Sequence, residues 1–142
     1  MILLDTNVLS ALMRREGEPA VVTWLDDQPA ESIWTTAVTV FEIRFGLEIL
    51  ARGRRRRRLE DAFAKALEED FEGRVLPFDQ MAAHAAATIA AKQREAGRPV
   101  EIRDVQIAGI AAARRAALAT RNTRHFADFG ISLVDPWTVS PR

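Results

Sequence analysis

The chain opens on three consecutive apolar residues, Ile2, Leu3 and Leu4, and the run stops abruptly at Asp5-Thr6-Asn7. So short a run is no helix, and being apolar throughout it suits a strand buried on both faces of a parallel sheet. Residues 8–13 turn to helical period. After the break at Glu16-Gly17-Glu18-Pro19 a second helix is expected from Pro19 to about Gln28, with proline tolerated in its first turn. Residues 32–36 follow Pro29, are rich in β-formers and read as the second strand.

Across residues 38–50, Val38, Phe41, Phe45, Leu47 and Leu50 recur at three- and four-residue spacings and predict one buried helix face, with Glu42 and Arg44 lying within the same helix. Gly53 separates it from five consecutive arginines, 54–58, and from a helical stretch with Leu59, Phe63, Ala66, Leu67 and Asp70 near the same period. These two helices are expected to form a hairpin. Residues 75–78 predict a short strand, and Asp79 is placed to cap an alanine-rich helix reaching about Glu95, ended by Gly97 and Pro99. A further helix begins near Arg103-Asp104 and carries Ile107, Ile110 and Ala111 on one face. Residues 117–120 form a strand running into Arg121-Asn122, and residues 131–134 the last strand. Strands alternating with helices predict an α/β fold on a mainly parallel sheet, and the 142 residues suit a single domain spanning 1–142.

Charge and composition then narrow the classes. Twenty basic and twenty acidic residues cancel, so any attraction to a polyanion must be local. With no cysteine, a disulfide framework, a thiolate metal site and a cysteine nucleophile are excluded together. The N-terminus shows no signal-peptide pattern, and no apolar run is long enough to span a bilayer, so the expectation is a cytoplasmic protein with no membrane partner.

Ligands of open parallel sheets collect where the strands end at their carboxyl edge. Asp5 ends the first strand, Asn122 follows the strand at 117–120, Asp104 lies in the first turn of a helix, and Glu42 interrupts a helix otherwise apolar. Carboxylates gathered in one cleft repel each other unless a cation neutralises them. With almost no histidine and no cysteine the expected ion is hard and oxygen-seeking, Mg²⁺ or Mn²⁺, which suits phosphate chemistry. Such an ion lets a metal-activated water hydrolyse a phosphodiester without a protein nucleophile. Arg103, Arg121 and Arg124 flank these positions as candidate phosphate contacts.

Four segments together, Leu3-Leu4-Asp5-Thr6-Asn7-Val8, Thr39-Val40-Phe41-Glu42-Ile43 with Gly46-Leu47, Arg103-Asp104-Val105-Gln106-Ile107-Ala108, and Ala119-Thr120-Arg121-Asn122, resemble the PIN-domain toxins of the VapC type, in particular the FitB-like branch. The resemblance covers essentially the whole chain, including the closing region 126–136. It implies a three-layer α/β/α fold and the toxin of a type II toxin–antitoxin pair: an Mg²⁺-dependent endoribonuclease, homodimeric or in a hetero-oligomer with a cognate VapB-like antitoxin, acting on RNA. It also implies Asp5 and Asp104 as principal metal ligands, Glu42 as the third carboxylate, and Thr6 and Asn7 as supports of the first. The chain departs from the fullest pattern at Asn122, where an aspartate is often found; an uncharged amide there weakens the case for a second tightly bound metal. Asp128 reads as a surface residue rather than a replacement.

Other features are read more plainly. His84 and His125 show no ligand spacing and are assigned structural or exposed places. Trp24, Trp34 and Trp137 are assigned to the core or an interface. The arginine run is a solvated face at a helix start, and the apolar surface near residues 41–50 and 59–71 is assigned to the dimer and the antitoxin. A haloacid-dehalogenase phosphatase would need an aspartate where Asn7 stands, and a receiver domain a late lysine, whereas Lys92 is the last. The alternative that survives is a catalytically silent PIN fold binding protein or nucleic acid.

Overall fold

The computed structural model describes residues 1–14 and 16–138, so the expected far edge of the domain at Arg142 lies outside the described residues. Five strands, β1 (Ile2–Leu4), β2 (Ile33–Thr36), β3 (Val75–Leu76), β4 (Ala117–Ala119) and β5 (Leu133–Val134), form one sheet in the order β3-β2-β1-β4-β5. Every pairing is parallel, with Ile2 opposite both Ile33 and Ala117. The helices are α1 (Thr6–Met13), α2 (Pro19–Asp26), α3 (Ala37–Glu48), α4 (Arg54–Lys65), α5 (Gln80–Glu95), α6 (Ile102–Arg114) and the single turn α7 (Thr123–Phe126).

Because side chains alternate across a strand, β1 and β4 each feed two cores. Leu3 and Leu118 join a cluster with Ala82, Ile89, Val105, Ile107, Ala108, Ile110 and Phe126, beneath α5, α6 and α7. Leu4 and Ala119 join the opposite cluster with Val8, Leu9, Val21, Trp24, Ile43, Leu47 and Phe63, beneath α1 to α4. Three layers result, as expected, with strands that are apolar on both faces because neither face meets water. No described helix is long and apolar enough to cross a membrane.

Element edges shift where local chemistry overrides the apolar period. The helix expected from residue 8 starts at Thr6, because the Asp5 carboxylate accepts the Thr6 N–H and caps it. Residues 30–32 form a 3₁₀ turn, so β2 begins at Ile33 rather than at 32. Strand β3 ends at Leu76 instead of 78, and β4 and β5 are each shorter than expected. The arginine run is itself the opening of α4, which closes through a π-helical turn at Ala66–Asp70. Its cations do not all face water alone: Arg56 reaches Glu60 in its own helix and Glu48 across in α3, and Arg44 of α3 reaches Glu60 in return, completing the expected hairpin.

The buried face of α3 is not the one its apolar spacing predicts. Val38 and Leu47 are buried, joined by Thr39 and Ile43, but Phe41 and Phe45 stand 56% and 52% exposed, stacked on each other at 6.1 Å between ring centroids. The helix carries more apolar residues than one stripe holds. Thr39 takes a core place with its hydroxyl and N–H satisfied by Thr36, and the two phenylalanines lie on the opposite, exposed side.

Candidate active site

The strand order places the site. From β1 the chain moves outward to β2 and β3, then returns across the sheet to β4 on the other side of β1 and continues to β5. Connections therefore leave β1 and β4 in opposite directions, and a crevice opens beyond their carboxyl ends. Asp5 follows β1 and Thr120 follows β4 at this point, locked together when the Asp5 N–H donates to the Ala119 carbonyl at 2.9 Å.

Asp5 is 5% exposed and is held from several sides. Its Oδ1 accepts the Thr6 N–H at 2.9 Å, and its Oδ2 accepts the Thr120 hydroxyl at 2.8 Å and the Asn7 amide at 3.3 Å. Asn7 also spans the seam, accepting the Arg121 N–H at 3.0 Å. Burial pushes the Asp5 carboxyl above its ordinary value, and the Thr120 bond leads the opposing hydrogen bonds that favour the charged form.

Glu42 reaches the same crevice from the second turn of α3, where its Oε1 accepts the Thr6 hydroxyl at 3.1 Å. Asp104 enters from the first turn of α6, its N–H accepted by the capping Glu101 carboxylate at 3.1 Å. Burial raises both carboxyls first of all. The Asp5 charge raises each of them as well, and Glu101 adds to the effect at Asp104. The three expected carboxylates thus share one field. Among the described residues, however, no three such groups stand close enough to enclose a single ion in their present rotamers. Glu42 leans toward Arg103, whose Nη1 lies 3.8 Å from it, and Asp104 toward His125, whose Nδ1 lies at 3.4 Å.

Asn122 heads α7, but its side chain makes no capping bond; its N–H donates to the Thr120 hydroxyl at 3.1 Å. The three candidate arginines differ in circumstance. Arg103 is paired with Glu42 and Glu101. Arg121 lies over the Trp137 ring at 4.7 Å. Arg124 is exposed on the wall of a cleft of about 270 Å³ that also includes Asp104 and His125. Asp128 is a surface residue, as expected, and Trp24 is core.

Two residues at the site escaped sequence reasoning. Thr120 is fully buried and gives Asp5 its shortest hydrogen bond, and only its position after an apolar strand could have flagged it. His125, assigned a structural or exposed place, is indeed exposed yet lies against Asp104. No spacing in the chain signals that contact, which depends on the turn α7.

Replacing Thr120 by Val keeps the shape and removes the hydroxyl. Asp5 then loses the bond that most favours its charge, so cation binding at the site is expected to weaken about 10- to 100-fold, read by titrating activity or thermal stability against Mn²⁺; unchanged affinity would remove Thr120 from the site.

The family model described as "PIN domain" matches residues 2–131. The chain is 37% identical to a protein of Sinorhizobium fredii named VapC ribonuclease Y4jK, covering 96% of this chain and 98% of that one. It is 34% identical to a protein of Neisseria gonorrhoeae named Toxin FitB, with 96% and 99% covered. Among solved structures, FitAB bound to the IR36 DNA fragment contains a chain similar at a TM-score of 0.89 and 34% identity, covering 99% of this chain and 98% of that one.

Proposed function

Because this chain belongs to the PIN-domain family, we propose that it is the toxin of a type II toxin–antitoxin pair, a cytoplasmic metal-dependent endoribonuclease that hydrolyses RNA phosphodiester bonds. The observation that carries this reading is the placement of Asp5, Glu42 and Asp104 around the switch point of the sheet, each with its carboxyl raised by burial and the latter two raised further by the Asp5 charge. Acids perturbed by burial and by one another's charge at such a location are the groups expected of a functional site. The likeness to proteins named as a VapC ribonuclease and a FitB toxin supports the same activity.

The donor set fits Mg²⁺ or Mn²⁺, because it consists of hard carboxylate oxygens with no thiolate available. Asp5, Glu42 and Asp104 would hold the ion, with Glu42 and Asp104 exchanging Arg103 and His125 for it. A bound cation would supply the positive charge that polarises the phosphoryl group and lowers the pKa of an attacking water. The protein's own contribution is placement. Thr6, Asn7 and Thr120 fix both oxygens of Asp5, and the Thr6 hydroxyl joins Glu42 to the same strand end. Asn122, at the head of α7, has an uncharged side chain in place of a fourth carboxylate, which favours one tightly held ion over two. Arg124, which forms no ion pair among the described residues, would meet the substrate's phosphates, while Arg103 and Arg121 are engaged within the protein. The exposed Phe41–Phe45 pair offers apolar surface to a homodimer or a VapB-like antitoxin.

Incubating antitoxin-free protein with mixed RNA in Mg²⁺, Mn²⁺ or EDTA tests the reading. Cleavage is expected with either metal and its loss on chelation. RNA binding without turnover in any condition would instead establish the silent binding module.

A further inference from the structure

Beside the acidic centre, the cleft that holds Asp104 continues along the loop between α5 and α6 and is lined by Gln93, Arg98, Glu101, Arg124, His125 and Asp128 among others. Arg98 has a built position there. Gln93 is 3% exposed; its amide nitrogen donates to the Asp128 carbonyl at 2.9 Å, and its Oε1 accepts the Arg98 Nε at 2.8 Å. A buried amide thus grips the guanidinium by its inner nitrogen. Among the described residues neither terminal nitrogen of Arg98 has a hydrogen-bond partner, which leaves a two-pronged donor facing outward. Arg124 adds a second cation to the same cleft and forms no ion pair among the described residues.

We propose that Arg98, oriented by Gln93 and seconded by Arg124, forms a subsite for a backbone phosphate of single-stranded RNA next to the phosphate cleaved at the Asp5–Glu42–Asp104 centre. The inference rests on the RNA-cleaving reading and adds a binding position to it. A guanidinium anchored through Nε matches two phosphate oxygens with its terminal nitrogens. Among the described residues the carboxylate that competes for it is Asp128, 3.6 Å from the Arg98 Nε and more than half exposed. Glu101 is occupied elsewhere, by the Asp104 N–H and by Arg103. Continuity with Asp104 sets the path: a strand entering the cleft passes Arg98 and Arg124 before reaching the acids.

The test uses a fluorescein-labelled oligouridylate of twelve nucleotides, bound to full-length protein carrying Asp5→Asn so that no turnover occurs, across a series of salt concentrations. Arg98→Gln is expected to weaken binding roughly fivefold and to lower the slope of log affinity against log salt by about 0.7, the value for one single-strand phosphate. Asp128→Asn removes the competitor and should tighten binding, a direction that general damage to the fold would not produce. Unchanged slope and affinity in Arg98→Gln, or weaker binding in Asp128→Asn, would overturn the subsite. Cleavage by the otherwise wild-type chain is scored separately: turnover without a slope change removes the subsite alone, and a slope change without turnover removes the nuclease reading and leaves the subsite standing.

Discussion

Replacing Asp5 by Asn is expected to lower RNA cleavage by about a thousandfold or more, the several kcal/mol that cation-assisted charge stabilisation supplies, and to yield a protein that melts higher than its parent in EDTA. Both results follow from the same buried carboxylate. Its amide replacement keeps the size but loses the charge that a cation would answer. It also escapes the desolvation that raises the Asp5 carboxyl above its ordinary value of 3.8. A carboxyl raised by folding binds its proton more tightly in the native state than in the unfolded chain. The parent is therefore least handicapped below that ordinary value and loses stability as pH rises through the raised one. Glu42 and Asp104 are shifted in the same direction. In EDTA the melting gap between variant and parent should be widest near neutral pH and should close on acidification toward pH 4. Saturating Mn²⁺ should close it from the other side, by stabilising only the parent. A variant that cuts RNA at the parental rate would remove Asp5 from the centre.

The second large effect concerns the close approach of α5 to α6, the helix that carries Asp104. Gly109 of α6 lies so close to α5 that an added Cβ would sit 2.5 Å from the Ala82 carbonyl oxygen, 2.6 Å from the Ala86 Cβ and 2.9 Å from the Ala86 nitrogen. Two of those three atoms are backbone, so the helices themselves must part. Gly109→Ala is expected to cost about 1–3 kcal/mol and Gly109→Val more, measured by urea denaturation. Gly46 is the internal control, being helical in α3 with open space where its Cβ would go. There the same change to Ala should stabilise by up to about 1 kcal/mol through helix propensity. Opposite signs for one substitution would assign the effect at Gly109 to packing; equal signs would refute the close approach.

Much of the site was legible in the chain because strand ends are sharp in sequence. Ile2, Leu3 and Leu4 give way to Asp5 without transition, and Ala119 gives way to Thr120 and Asn122 in the same manner, so two walls of the crevice could be placed from hydrophobicity alone. Asp104 was found through its position at a helix start. What could not be read was facing. In α3 the apolar residues outnumber the places available, and whether Phe41 or Ile43 is buried is decided by α1 and α6, which pack on the helix from elsewhere in the chain. The same limit hid the contact of His125 with Asp104, which arises from a one-turn helix rather than from any period. The sequence positions of Arg103 and Arg121 are legible, but their engagement with Glu42 and Trp137 is a matter of side-chain partners that only the fold supplies.

The hydrogen bond from Thr120 to Asp5 joins residues 115 positions apart, and this separation has a bearing on when the molecule becomes active. Pairing β1 with β2 needs only the first quarter of the chain, whereas completing the acidic centre requires β4 to return beside β1, a long loop whose closure entropy precedes any reward from contact. During synthesis at about 5–20 residues per second, a nascent chain carries Asp5 from the start but lacks Asp104 and Thr120 until most of its length has been made. On the proposed function, the capacity to cut RNA therefore arrives only after α6 and β4 have been made and folded back beside β1.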